Sequence, residues 1–193
     1  MISYFCVALI RIKKKMKEFL KEILVHNSKF KQVKISNLTI KTIQEIALEL
    51  LNLKDLNQLR DKYEGAAFLK RLSKEIMSFV AIERVLEIKL LNWSLRKKTK
   101  DYPFEIEINK KKIGINIFEF GEYPVLIDES EKRPMIFCYL KGQDTIVVCG
   151  YASVDVILNN KKEISNSTFV AGQKVQFTGF KDLKSINSIE DLY

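Results

Sequence analysis

Between positions 104 and 120 the chain reads FEIEINKKKIGINIFEF, with apolar and polar residues alternating on both sides of a polar break at 109–112. Successive side chains of a strand point to opposite faces, so this pattern predicts two half-buried strands joined by a tight turn. With 109–112 as the turn, Ile108 pairs with Ile113, Glu107 lies opposite Gly114 and Glu105 opposite Asn116. One face of the hairpin is then polar, carrying Glu105, Glu107 and Asn116 beside a bare patch at Gly114.

Upstream the period changes to that of a helix. Met16, Phe19, Leu20 and Ile23 fall at helical spacing within the strongly basic stretch 11–34, which predicts an amphipathic basic helix. Ser36 or Asn37 is placed to cap a second helix, with Ile40, Ile43, Ala47, Leu50 and Leu51 on one face. A short helix over about 53–63 follows. The longest helical pattern runs from 66 to about 95 without an internal Gly or Pro to force a break. Its apolar residues occupy more than one stripe, which predicts a central helix packed on several sides. Glu83 and Glu87 stand one turn apart within it, and Glu87 is placed to pair with Arg84. Pro103 marks where the helix does not resume. A helix-turn-helix over 36–63 would need a turn at LLNLKDL, which lacks the glycine usual there.

Downstream, 125–127 reads as a short strand and 128–134, DESEKRP, as a polar loop. Strands are predicted at 135–140 and 145–149 around a Lys141–Asp144 connection, the second buried on both faces. Pairing Lys141 with Thr145 sends Cys138 and Cys149 to opposite faces, which argues against a disulfide. Ser153 is placed to cap a helix over 154–158, with short strands at 169–170 and 175–177 and a helical turn at the end. The expected fold is α+β: a helical N-terminal half packed on an antiparallel or mixed sheet. Its parts are an apolar and basic extension over 1–15, a helical region over 16–98 and a β-rich region over 99–193, the last two packed as one domain.

Composition points to a class of partner only through charge. The 193 residues are 47% hydrophobic and 30% charged, ordinary globular values, but 33 basic against 24 acidic side chains leave a net charge of +9. That excess favours polyanions, DNA or RNA first and an anionic membrane surface second, although lysine-rich surfaces are also common without either. The candidate phosphate contacts are Lys13, Lys14, Lys15 and Lys17, then Arg96, Lys97, Lys98 and Lys100, then Lys110, Lys111 and Lys112. Three cysteines without CxxC spacing and the single His26 offer neither a zinc site nor a histidine-based triad. Phosphate-loop and dinucleotide glycine signatures are absent. The first ten or so residues are apolar, against about twenty needed to span a bilayer. Their basic run comes after the apolar one, the reverse of a secretory signal. A packed segment, a membrane-surface anchor and a translated extension ahead of Met16 all fit, and a cytoplasmic location is expected.

A long helix with a glutamate, an acidic strand, a turn and a second strand resembles, over about 79–157, the layout of the PD-(D/E)XK nuclease superfamily. The resemblance implies a restriction-endonuclease-like core in which carboxylates of the strand acids and of an E-x-K hold a divalent metal such as Mg2+ that activates water for phosphodiester hydrolysis. In that layout the E-x-K lysine orients or stabilises the nucleophile. By position Glu83 matches the helix glutamate, and Glu105 (less well Asp101) the first-strand acid. Gly114 stands where the second acid belongs and Asn116 where the lysine belongs. Glu107 is then the carboxylate able to enter the gap, with Lys111 or Lys112 reaching back from the turn. The catalytic candidates are Glu83, Glu105 and Glu107, and the metal candidates Glu105 and Glu107. The leading expectation is a nucleic-acid-associated protein on a catalytically impaired nuclease-like scaffold. The alternatives are an active metal-dependent nuclease and a non-enzymatic adaptor for an acidic partner or membrane surface. The solvent face of any antiparallel hairpin shows the same alternation without a site.

Overall fold

A computed structural model describes residues 16–61, 63–100, 102–103, 105–127, 133–164 and 174–192. The expectations for Lys13, Lys14, Lys15 and Asp101, and for a strand at 169–170, lie outside these residues.

The fold is α+β. Helix α1 covers 16–22 and is followed by a 3-10 segment, Leu24–Lys29. Next come β1 (Lys31–Lys34), α2 (Asn37–Leu51), α3 (Leu56–Asp61), α4 (Tyr63–Leu86) and the single turn α5 (Trp93–Arg96). The remaining elements are β2 (Glu105–Ile108), β3 (Lys111–Glu119), β4 (Val125–Ile127), β5 (Met135–Lys141), β6 (Thr145–Ala152), α6 (Val154–Asn159), β7 (Lys161–Glu163) and β8 (Lys174–Phe177). A five-stranded sheet has the order β1-β6-β5-β3-β2, and a three-stranded sheet the order β4-β8-β7. Strands β3 and β5 are parallel, and every other pairing of these strands is antiparallel. A parallel pair needs a crossover, and here the chain makes it through β4 in the small sheet.

Strand β5 explains the layering. Ile136 and Cys138 belong to a core shared with α2 and α4, whose Ile43, Ile46, Leu72 and Ile76 are fully buried. Met135, Phe137 and Tyr139, one step out of phase, belong to a second core with Phe19 and Ile23 of the N-terminal segment and with Phe177 and Phe180. Phe137 stacks on Phe177 with ring centroids 4.4 Å apart, which fastens the small sheet to the large one. The central sheet is thus buried on both faces, and its strands read as unbroken apolar runs. Lys141 does pair with Thr145, and Cys138 and Cys149, both free and buried, sit in opposite cores.

Local signals account for the element starts. Ser36 caps α2 by accepting from the Thr39 amide, and Ser153 caps α6 by accepting from Val156. Two expectations are corrected. The basic stretch 11–34 is not helical to its end: Lys31–Lys34 pairs antiparallel with β6, Lys31 opposite Val148 and Lys34 opposite Thr145, and becomes a lysine-bearing sheet edge. The helical region therefore supplies a strand to the sheet. The long helix stops at Leu86, not near 95, although neither Gly nor Pro stands there. Glu87 turns left-handed (φ 56°), the Ile88 amide donates to the Glu83 carbonyl, and the Glu83 carboxylate accepts from the Leu90 and Leu91 amides at 2.7 and 2.8 Å. No helix among the described residues is long and apolar enough to cross a membrane.

Candidate functional site

The β2–β3 hairpin positions the candidate acids. Its loop is two residues, Asn109 and Lys110, both left-handed (φ 49° and 64°), as a type I′ turn requires. The register is Ile108 with Lys111, Glu107 with Lys112, Ile106 with Ile113 and Glu105 with Gly114. This corrects the pairing expected from a four-residue turn by two positions. A shift of two preserves the faces, because the side-chain period of a strand is two. Ile106, Ile108, Ile113 and Ile115 all enter the core beneath α4. Glu105, Glu107, Lys112, Gly114 and Asn116 therefore share the opposite face.

This geometry separates the three catalytic candidates. Glu105 and Glu107 lie on the sheet face turned away from α4, whereas Glu83 belongs to α4 and its carboxylate is engaged by two backbone amides. A 330 Å³ cleft along β2 holds Phe79, Lys89 and Leu90 alongside Glu105 and Glu107, and Glu83 does not line it. Among the described residues no three His, Cys, Asp or Glu side chains come together in a way that could hold a metal ion.

Glu105 is itself occupied. Its Oε1 lies 2.9 Å from Lys112 Nζ, and Arg133 Nη1 donates to its Oε2 at 2.5 Å, one cation on each oxygen. The hydrogen bond from Lys112 and the charges of Lys112 and Arg133 hold the Glu105 carboxyl below its ordinary range, against the opposing effect of burial. The same bond raises Lys112. A magnesium ion at Glu105 would have to displace both cations, and no cluster of three His, Cys, Asp or Glu side chains among the described residues is there to replace them. The residues present do not fit the metal.

Both departures from the nuclease pattern have structural roles. A Cβ on Gly114 would stand 3.0 Å from Arg133 Nε and 3.3 Å from Met135 Cγ, so the glycine is the floor on which the guanidinium lies. Arg133 Nε is buried against it and has no hydrogen-bond partner among the described residues. Asn116 Nδ2 donates to the Val125 carbonyl at 3.0 Å, tying β3 to the small sheet.

The basic candidates divide in the same way. Arg96 is 1% exposed. It pairs with Glu75 at 2.9 Å, donates to the Thr99 carbonyl at 2.6 Å and lies over the Tyr102 ring, which removes it from the candidate phosphate contacts. Lys17, Lys97, Lys98 and Lys100 are exposed, as are Lys110, Lys111 and Lys112. At the end of the sheet where β3 and β5 begin, Lys111, Lys112 and Arg133 line a groove of about 470 Å³ with Tyr151, Ser153 and Asp155. In the sequence Arg133 is one charge within the polar loop 128–134 and carries no mark of this role. The signal for it is the parallel register, which sets Met135 beside Gly114 and so brings residue 133 to the hairpin. No family model matches the chain, and no curated protein or solved structure matches it either.

Proposed function

We propose that the protein is nucleic-acid-associated and works in the cytoplasm, meeting phosphate backbones through exposed lysines on a nuclease-like layout whose metal chemistry is impaired. The observation that carries this reading is the convergence of Lys111, Lys112 and Arg133 on one groove, where Asp155 supplies the only lining carboxylate among the described residues. Exposed Lys110 extends the basic rim at the turn, and the net charge of +9 gives the whole molecule an attraction for polyanions. The separation of Glu83 from Glu105 and Glu107, and the two cations on Glu105, favour binding over hydrolysis. Free buried cysteines in opposite cores suit a reducing compartment.

The test is binding to labelled single- and double-stranded DNA and RNA over a salt series. Affinity should fall linearly on a log–log plot. Replacing Lys110, Lys111 and Lys112 together by Gln should flatten the slope by about one unit for each phosphate no longer neutralised. A flat salt response, or no binding at low salt, overturns the reading. Cleavage in Mg2+ or Mn2+ that disappears when Glu105 and Glu107 are both changed to Ala would replace it with the active nuclease.

A further inference from the structure

We infer that Lys112 and Arg133 form a two-point phosphate clamp, and that the Glu105 carboxylate is its resident occupant, displaced when a nucleic-acid backbone enters the groove. The inference rests on the nucleic-acid reading above and names the contact within that site and the group that regulates it.

The chemistry is that of one anion standing in for another. Lys112 Nζ and Arg133 Nη1 each take a separate oxygen of the Glu105 carboxylate, at 2.9 and 2.5 Å. Two cations set to receive the paired oxygens of a carboxylate are also set to receive two oxygens of a phosphodiester, whose oxygens are similarly spaced. The guanidinium is held in position whichever anion it binds. Its Nε lies against Gly114, where a side chain would collide with it, and the Gly114 amide donates to the Pro134 carbonyl at 2.9 Å, fixing the chain that carries Arg133. The lysine is 62% exposed and Arg133 38%, whereas Glu105 is 21% exposed. The cations therefore reach solvent further than the acid they hold. Ion pairs this open are weak and exchangeable. In the groove that the two cations line, Lys111 adds a third positive charge against Asp155, the single lining carboxylate among the described residues. Glu105 holds the cations from outside that lining. A backbone that brings several phosphates at once competes where a single free anion does not. Glu105 thus raises the threshold for binding, so that isolated phosphates are excluded and polymers admitted.

The test uses the full chain and a short fluorescein-labelled single strand of DNA, read by anisotropy at low salt, with inorganic phosphate as competitor. Glu105→Gln keeps the shape of the side chain and removes its charge. It should tighten binding about tenfold, as expected of one unit charge removed from a partly buried site beside the bound phosphate. It should also let inorganic phosphate compete at lower concentration. Glu45→Gln, at an exposed side chain of α2, raises the net charge by the same unit away from the clamp, and should tighten binding only about twofold. Lys112→Gln, at an exposed side chain outside the core, should loosen binding more than Lys97→Gln does. Equal effects of Glu105→Gln and Glu45→Gln, or of Lys112→Gln and Lys97→Gln, overturn the clamp while the nucleic-acid reading stands. If no form of the protein binds the strand, that reading fails and the clamp falls with it.

Discussion

The two faces of the five-stranded sheet treat ions differently. Beneath α4 the charges are tied into the structure: Arg96 is sealed against Glu75, and Glu119 at the end of β3 receives Lys70 at 2.7 Å and Lys74 at 2.6 Å from successive turns of α4. On the other face, Glu105 also receives two cations, but these come from the start of β3 and from the approach to β5, on the rim of an open groove. An acid with two cations is therefore not a site by virtue of its pairing. Exposure does not separate the two clusters, since Lys70 is 63% exposed and Lys112 62%. What does is that Lys70 and Lys74 join α4 to β3, whereas Lys112 and Arg133 line a groove. Of these pairs only Arg96 with Glu75 is sealed from water.

Breaking the buried ion pair should have the largest effect. Arg96→Met removes the charge while keeping much of the side-chain volume, and leaves Glu75 the more distant, half-exposed Arg71 at 3.8 Å in place of its buried partner. Such a loss costs about 3 kcal/mol. Urea denaturation should show the midpoint fall, while the salt slope of DNA binding measured below the transition stays at its wild-type value. A loss below about 1 kcal/mol would mean that Arg96 is solvated and belongs again with the candidate phosphate contacts.

On the opposite face the sharpest change is Gly114→Val. If the hairpin face were merely solvated, a β-branched residue would suit an antiparallel strand and leave stability unchanged or higher. Valine instead meets Arg133 Nε and Met135 Cγ where even a lone Cβ is tight, and overpacking of this kind costs about 2 kcal/mol. The sign of the stability change decides between a bare solvent face and a seat for the guanidinium.

Strong local patterns made much of this architecture legible. Alternation placed the acids of β2 on one face, serines at the starts of α2 and α6 announced their caps, and strand parity kept the cysteines apart. The misreadings have non-local causes. Lys110 adopts a left-handed conformation that is uncommon without glycine, so three consecutive lysines read as a loop when two of them begin a strand. The α4 stop is made by a glutamate reaching forward seven and eight residues, which composition does not reveal. Arg96 is buried by a partner 21 residues earlier, and Arg133 is drawn to Glu105 across 28. A charged residue in a polar stretch reads as solvated until its distant partner is known.

Acid separates the two dication clusters by a smaller amount. The hydrogen bonds and charges of Lys70 and Lys74 lower the Glu119 carboxyl from an ordinary 4.5 to about 2. Its folded form binds a proton less readily than the unfolded chain, so the staple's contribution is complete above pH 4.5 and is lost as pH falls toward about 2. Because the Glu119 side chain is 37% exposed, solvent screens the pair, and the contribution is about 1 kcal/mol rather than the larger value the full shift would imply. Glu105 is lowered as well and weakens in the same direction, so the measurement is the difference between wild type and Glu119→Gln, in which its share cancels. Urea midpoints across the acid range should show that difference constant near neutrality and vanishing toward about pH 2. A difference that persists undiminished at the acid end would mean that Lys70 and Lys74 do not hold Glu119 in solution, and Arg96 with Glu75 would then be the ion pair that ties α4 into the fold.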